Sequence, residues 1–275
     1  MMHHHLTWIK NMLTATLIVL IGIYLLICGL LYFHQERLIF FPEVLAADFR
    51  FTFTAPFEEV TWQVDGVTLH AIHFKAQHAK GVVLYLHGNA GSVQSWGNVA
   101  APFLDQHYDV LMPDYRGYGK STGTIANEST LLADAEIAYT YVLQHYPEHH
   151  ILIYGRSLGS GPAVYLAKEH QPRLLILETP YYNLQELAGA HMPWAPRFLL
   201  KYPLRTDRWI GAVACPIFLF HGTDDELIPY ASSQRLTGLI QTEHRLITIP
   251  GGTHNTLPAS PIYQEHLRQI LDSAP

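Results

Sequence analysis

Beyond residue 80 the chain carries six short, nearly continuous apolar runs: GVVLYLHG, YDVLMPDY, HILIYG, RLLILE, CPIFLFHG and HRLITIPG. Each is too short for a buried helix, so each reads as a strand covered on both faces. Ahead of them, EEVTWQVDGVTLHAIHF alternates around Asp65-Gly66. That dipeptide tolerates the positive φ angles of a type I′ turn, so the stretch predicts a β-hairpin. Between the runs, NESTLLADAEIAYTYVLQHY places apolar residues at helical spacing, with Asn127 or Ser129 available as N-cap. GSGPAVYLAKEH, YASSQRLTGLI and SPIYQEHLRQILDSA fill the other gaps as helices. An antiparallel hairpin followed by repeated strand–helix units predicts an α/β fold, with a mostly parallel central sheet and helices on both faces.

The longest apolar run lies at the other end. Residues 13–33 include no charged side chain, and about twenty such residues as a helix span the roughly 30 Å hydrocarbon layer. A cleaved signal peptide has an apolar core of only about 7–15 residues followed by a small-x-small site. No clean site follows here, and Ile27 before Cys28 makes a poor lipoprotein box. The run therefore reads as an uncleaved signal-anchor, a single-pass transmembrane helix with Tyr32 and Phe33 at one interface. Lys10 flanks one end and Glu36 with Arg37 the other, so the charge bias leaves open whether the folded part is extracytoplasmic. The segment RLIFFPEVLAADFRFTFTAPF then reads as a linker skimming the membrane or, preferably, a strap packed on the domain. The expected organisation is an anchor at 1–33, a linker or strap at 34–57 and one folded domain at 58–275.

Composition narrows the function classes. Of 275 residues 49% are apolar and 15% charged, enough for a substantial core and too apolar for disorder. A net charge of −6 without a basic run argues against a nucleic-acid partner. The two cysteines, Cys28 and Cys215, make no disulfide framework. Eighteen histidines, including His3-His4-His5 and His149-His150, raise the question of a metal, but none falls in HExxH or a Cys/His ladder. No metal or other cofactor is expected.

In a parallel sheet, site residues gather at the carboxyl ends of strands, so the strand ends are where chemistry is sought. The run at 151–154 leads into Gly155-Arg156-Ser157-Leu158-Gly159 and then a helix. A serine on such a sharp strand-to-helix turn projects its hydroxyl above the sheet, and crowding requires small residues two before and two after it. GxSxG alone is a weak signal in a glycine-containing chain; the flanking strand and helix sharpen it. The run at 82–86 ends in HGNAG, where the Asn89 amide, with that of Leu158, suits an oxyanion hole. IFLFHGTDDELIP offers Asp225, with Asp224 and Glu178 as rival carboxylates, and ITIPGGTHNTL offers His254 after the last strand. A serine hydroxyl is a weak nucleophile, so an imidazole must take its proton and a carboxylate must fix the tautomer. Ser157, Asp225 and His254 stand in the chain order of nucleophile-elbow enzymes.

With these residues in view, the chain resembles the α/β-hydrolase superfamily, and within it the membrane-anchored abhydrolase-domain group whose nucleophile elbow reads GRSLG. LYLHGNAGS, PDYRGYGKSTG, YGRSLGSGPA, LETPY, FLFHGTDDELIP and PGGTHN carry the likeness, from about residue 40 to the C-terminus. The resemblance implies an α/β-hydrolase fold with Ser157, Asp225 and His254 as triad and the Asn89 and Leu158 amides as oxyanion hole. Asp114, Tyr115, Arg116 and Gly117 match a second loop motif, read as bracing of the site. Residues 179–214 leave room for a short cap of two or three helices, where Trp194, Phe198 and Leu199 either line an acyl pocket or pack on the sheet. The expected function is a membrane-anchored serine hydrolase (esterase, thioesterase or lipase-like) that cleaves an acyl ester or thioester through an acyl-enzyme. The rivals are an amidase or aminopeptidase on the same residues, and a non-catalytic binding protein on a hydrolase scaffold.

Overall fold

The computed structural model describes residues 2–273; Met1 and the last two residues, where the expected anchor begins and the folded domain ends, lie outside the described residues. From the N-terminus, α1 (Met2–His34) and a single turn α2 (Glu36–Ile39) lead into β1 (Phe41–Pro42). The hairpin of β2 (Phe57–Val64) and β3 (Val67–Phe74) turns at Asp65-Gly66, both with positive φ, 50° and 78°. Then come β4 (Gly81–Leu86), β5 (Ala90–Gly91), the short helices α3 (Val93–Trp96) and α4 (Ala101–Leu104), and β6 (Tyr108–Asp114). The alternating part follows: α5 (Glu128–His145), β7 (Ile151–Arg156), α6 (Ser160–Glu169) and β8 (Leu174–Glu178). A cap with α7 (Leu184–His191) and α8 (Thr206–Trp209) precedes β9 (Ile217–Gly222), α9 (Ala231–Thr237), β10 (His244–Ile249) and α10 (Pro261–Ser273).

Eight of these strands form one sheet in the order β10-β9-β8-β7-β4-β6-β3-β2. All neighbours from β10 to β6 run parallel, and the β3–β6 and β2–β3 pairs are antiparallel. The chain is an α/β-hydrolase fold: a mostly parallel sheet between helices. The four central strands β4, β6, β7 and β8 are buried at every residue, which is why they read as unbroken apolar runs rather than alternations. Side chains still alternate between two cores. Leu152 and Tyr154 of β7 join Phe103 of α4 and Leu267 of α10 on one face. Ile151 and Ile153 join Ala138 of α5 and Val164 of α6 on the other. Of the two cap candidates for α5, Asn127 is the one used: its side chain accepts from the Thr130 amide at 2.9 Å. Ser129 instead donates its hydroxyl to Asn127. The sequence pattern did not reveal α3 and α4, whose one-turn lengths leave no periodicity to read.

Residues 40–57 lie against the domain as a strap. The amides of Phe41, Glu43 and Leu45 donate to the carbonyls of Asn89, Gly91 and Gly119 at 2.8–2.9 Å. Phe51 stacks on His70 and Phe53, at ring separations of 5.5 and 5.6 Å, and belongs to the main core. Helix α1 contrasts with all of this. Residues His4–His34 have a peak mean hydropathy of 2.6, and only 6% of that window is covered by protein. The helix is long and apolar enough to cross a membrane.

Because Phe51 is a core side chain carried by the strap, Phe51→Ala is expected to destabilise the chain by about 3 kcal/mol. Urea unfolding of the full chain in detergent measures this. A loss below about 0.5 kcal/mol, the size of a neutral surface change, would make the strap a mere tether.

Candidate active site

Strand β7 delivers Ser157 onto a sharp turn into the helix that follows. Its φ is +49°, a left-handed conformation that costs a non-glycine residue about 1–3 kcal/mol unless the surroundings enforce it. The surroundings do so through two glycines. A Cβ on Gly155 would lie 2.5 Å from the Ala163 Cβ and 2.7 Å from the Gly159 carbonyl oxygen. One on Gly159 would lie 2.0 Å from the Leu86 carbonyl oxygen at the end of β4. Strand, turn and helix α6 are thus pressed against each other and against β4, and the Ser160 hydroxyl clips the turn by donating to the Ser157 carbonyl at 2.7 Å.

Above this turn three polar side chains form a continuous hydrogen-bonded chain. Asp225 Oδ2 is 2.9 Å from His254 Nδ1, and His254 Nε2 is 3.1 Å from Ser157 Oγ. A carboxylate can only accept, so Nδ1 carries the proton and Nε2 offers its lone pair to the serine hydroxyl. Burial alone would raise the Asp225 pKa. Hydrogen bonds from His221, His254 and the Ile228 amide outweigh it and hold the carboxyl well below the usual range. Its other oxygen accepts from the amides of Leu227 and Ile228, at 2.9 and 2.8 Å. His221 is buried behind it: Nδ1 takes the Ser233 hydroxyl at 2.7 Å, and Nε2 donates to the Ile228 carbonyl at 2.9 Å while lying 3.4 Å from Asp225.

The rival carboxylates are elsewhere. Asp224 is exposed and takes the Thr223 hydroxyl. Glu178 lies buried beneath the site, where it accepts from the Tyr154 hydroxyl and sits 3.2 Å from Arg156 Nε. Arg156 in turn donates to the His254 carbonyl and to Asn255 Oδ1, both at 3.2 Å, with its guanidinium 4.8 Å from the Trp96 ring centre. Burial would lower its pKa, but Glu178 reverses this and raises it. Glu178 and Arg156 therefore bracket the His254 loop to the elbow strand. Sequence reasoning missed both this bracket and His221. Arg156 stood as the variable position of GxSxG, and His221 was read only as the end of a strand.

The loop after β4 runs beside the serine: a Cβ on Gly88 would lie 3.8 Å from the Ser157 Cβ. His87 is fully buried, its pKa lowered by that burial, with Nδ1 donating to the Gly88 carbonyl at 2.8 Å. Asn89 is held through its side chain, which donates to Ile39, and through its carbonyl, which accepts from Phe41 and Tyr118. Among the described residues its own amide has no hydrogen-bond partner, and Leu158 lies in the first turn after the strand, where amides lack intrahelical partners. The second loop motif acts as bracing. Asp114 accepts from the Val93 amide, Tyr115 donates to the His87 carbonyl, and Arg116 forms a fork on Asp134.

Asn89, Ser157, Leu158 and His254 line one cavity of about 330 Å³, to which the cap contributes further lining residues. Of the three cap residues singled out from sequence, only Leu199 lines it. Trp194 and Phe198 do neither of the things expected of them, standing 49% and 82% exposed. Among the described residues no group of three His, Cys, Asp or Glu side chains is placed to hold a metal.

The depressed Asp225 pKa carries a sign. An unfolded aspartate titrates near about 3.9, above its folded value, so its stabilisation is complete above about pH 5 and is lost as pH falls below about 4. Asp225→Asn is expected to destabilise by about 2 kcal/mol at neutral pH, the gap narrowing below about pH 4. Urea unfolding across that range checks this; a gap that widens on acidification contradicts it.

The family model described as the alpha/beta hydrolase fold matches residues 81–178. The Mycobacterium tuberculosis protein Rv2307c is 31% identical over 231 residues, 81% of this chain and 81% of its own. The Caenorhabditis elegans alpha/beta hydrolase domain-containing protein aho-3 is 28% identical over 203 residues, 69% of this chain and 57% of its own. Among solved structures, a Pyrococcus furiosus esterase, Pf2001, superposes with a TM-score of 0.67 at 18% identity, covering 86% of this chain and 98% of that one. With this sheet order, this strained serine turn and these relatives, the chain belongs to the α/β-hydrolase superfamily.

Proposed function

We propose that the chain is a serine hydrolase, anchored in a membrane by α1, that cleaves carboxylic ester or thioester bonds of acyl substrates. The observation that carries this reading is the unbroken hydrogen-bonded chain from Ser157 through His254 to Asp225, opening onto a mostly apolar cavity in which leucine is the commonest lining residue. In the first half-reaction the Ser157 proton passes to His254 Nε2 as Oγ bonds the substrate carbonyl carbon. The carbonyl π electrons move onto oxygen, which the Asn89 and Leu158 amides stabilise. Collapse of this tetrahedral species expels the alcohol or thiol, which leaves with the proton from His254, and an acyl-Ser157 ester remains. Water then repeats the sequence: His254 takes its proton, the hydroxide oxygen bonds the acyl carbon, and Ser157 recovers its proton as the carboxylic acid departs. Throughout, Asp225 orients the imidazole and balances its positive charge. The low pKa of Asp225 suits that role, because a carboxylate that resists protonation remains an anion while His254 carries the extra proton.

Ser157→Ala is expected to abolish labelling by a fluorophosphonate probe and to lower turnover of p-nitrophenyl butyrate by about 10³-fold or more. Labelling that persists in the variant, with its fold intact by circular dichroism, overturns the assignment.

A further inference from the structure

Over residues 13–33 helix α1 is uncharged and mostly apolar, yet one face of it differs in the structure. Tyr24, Cys28, Leu31 and Gln35 recur at helical spacing, and this face meets the cap. Cys28 and Gln35 are 8% and 4% exposed, while Leu25, Leu26, Leu30 and Phe33 around them are more than half exposed. The contact is specific. The Tyr24 hydroxyl donates to the Trp194 carbonyl at 3.1 Å. The Gln35 amide donates to the Leu199 carbonyl and accepts from the Lys201 amide, both at 2.9 Å. Lys201 pairs with Glu36 at 2.8 Å. The helix is therefore fixed to the cap rather than joined to it by a leash.

Two consequences follow from this junction. First, Leu31 and Gln35, with Leu38 and Ile39 of α2, line the same cavity as Ser157, together with residues of the cap. Second, Tyr24 lies nine residues before Phe33, about 14 Å along a helix. A span that holds the uncharged stretch in hydrocarbon thus carries the Trp194 contact into the leaflet with it. Trp194 and Phe198, which the protein leaves exposed, are side chains that suit an acyl-chain or interfacial environment.

We propose that the cavity takes the acyl chain of a bilayer-resident ester lipid directly from the leaflet, beside α1, whose last turn forms part of the acyl-binding wall. The cap tip at Trp194 and Phe198 is then the surface that enters the leaflet. This rests on the hydrolase reading above and adds to it the physical source of the substrate. It makes α1 part of the site, so a chain cut after the anchor loses a wall as well as a tether.

The test uses the full chain in phosphatidylcholine vesicles. One arm needs no catalysis: Phe198→Cys, labelled with the fluorophore NBD, places a probe at an exposed position, while Cys28 and Cys215 are buried. Blue-shifted emission and quenching by doxyl-labelled lipid are expected, and an unquenched, water-like spectrum overturns the proposal. In the other arm, Leu31→Trp fills the α1 side of the cavity. The ratio of p-nitrophenyl dodecanoate to p-nitrophenyl butyrate turnover is expected to fall about tenfold, and an unchanged ratio overturns the wall assignment. Butyrate cleavage with an unquenched probe sinks this proposal alone. A quenched probe with neither ester cleaved sinks the hydrolase reading, and the proposed substrate with it.

Discussion

The architecture of this site depends on one close approach. The Gly159 backbone packs so near the Leu86 carbonyl that a single methyl group would not fit between them. That approach forces the chain to leave β7 sharply, and the positive φ of Ser157 follows from it. Because β4 lies next to β7 in the sheet although β6 intervenes in the chain, the same contact brings the Gly88–Asn89 loop alongside the serine. One packing constraint thus positions the hydroxyl and draws the Gly88–Asn89 loop beside it. The strain is local, and the buried strands on either side supply the rigidity that holds it.

A second layer fixes the imidazole. His254 sits in a loop, and a loop by itself holds a side chain loosely. Here its carbonyl is tied to Arg156 from the elbow strand, and Arg156 is tied to Glu178 from the next strand. Buried ion pairs contribute little net stability, because desolvation offsets much of the attraction. Their directional demands are the more important property. Arg156 Nη2 reaches the His254 carbonyl and Asn255 Oδ1 only when that loop lies at a particular height above β7, and the 3.2 Å approach of Nε to Glu178 ties that height to two rigid strands.

The fold was legible from the sequence because burial on both faces leaves an unbroken apolar run, and β4, β6, β7 and β8 are buried at every residue. That Ser157, Asp225 and His254 could meet, as they do, was legible because parallel strands end at one edge of the sheet. What stayed hidden was long-range or locally uninformative. The amides of Leu227 and Ile228, which turn Asp225 rather than its neighbour Asp224 inward, carry no side-chain signal. Arg156 and Glu178 are 22 positions apart and carry no pattern that joins them. Trp194 and Phe198 looked like lining or packing residues because an apolar side chain in a cap suggests contact with protein, whereas here they face outward. In α1, selection for overall hydrophobicity obscures the one face that touches the cap. Gln35 at its end is the clue, since a glutamine there is buried only because both ends of its amide are satisfied.

The junction between α1 and the cap bears on why the cap is short. A large lid can open and close over a site by itself, at the cost of building and ordering an extra layer. Between β8 and β9 this chain has only α7, α8 and a few turns, too little to roof the cavity alone. The end of α1 and the turn α2 supply further lining, and both are held by backbone and side-chain hydrogen bonds rather than by apolar contact only. A helix whose remaining surface is apolar has no reason to lie against a water-facing domain unless something fixes it there. The buried amide of Gln35 does this without requiring α1 to give up its exposed, lipid-compatible faces.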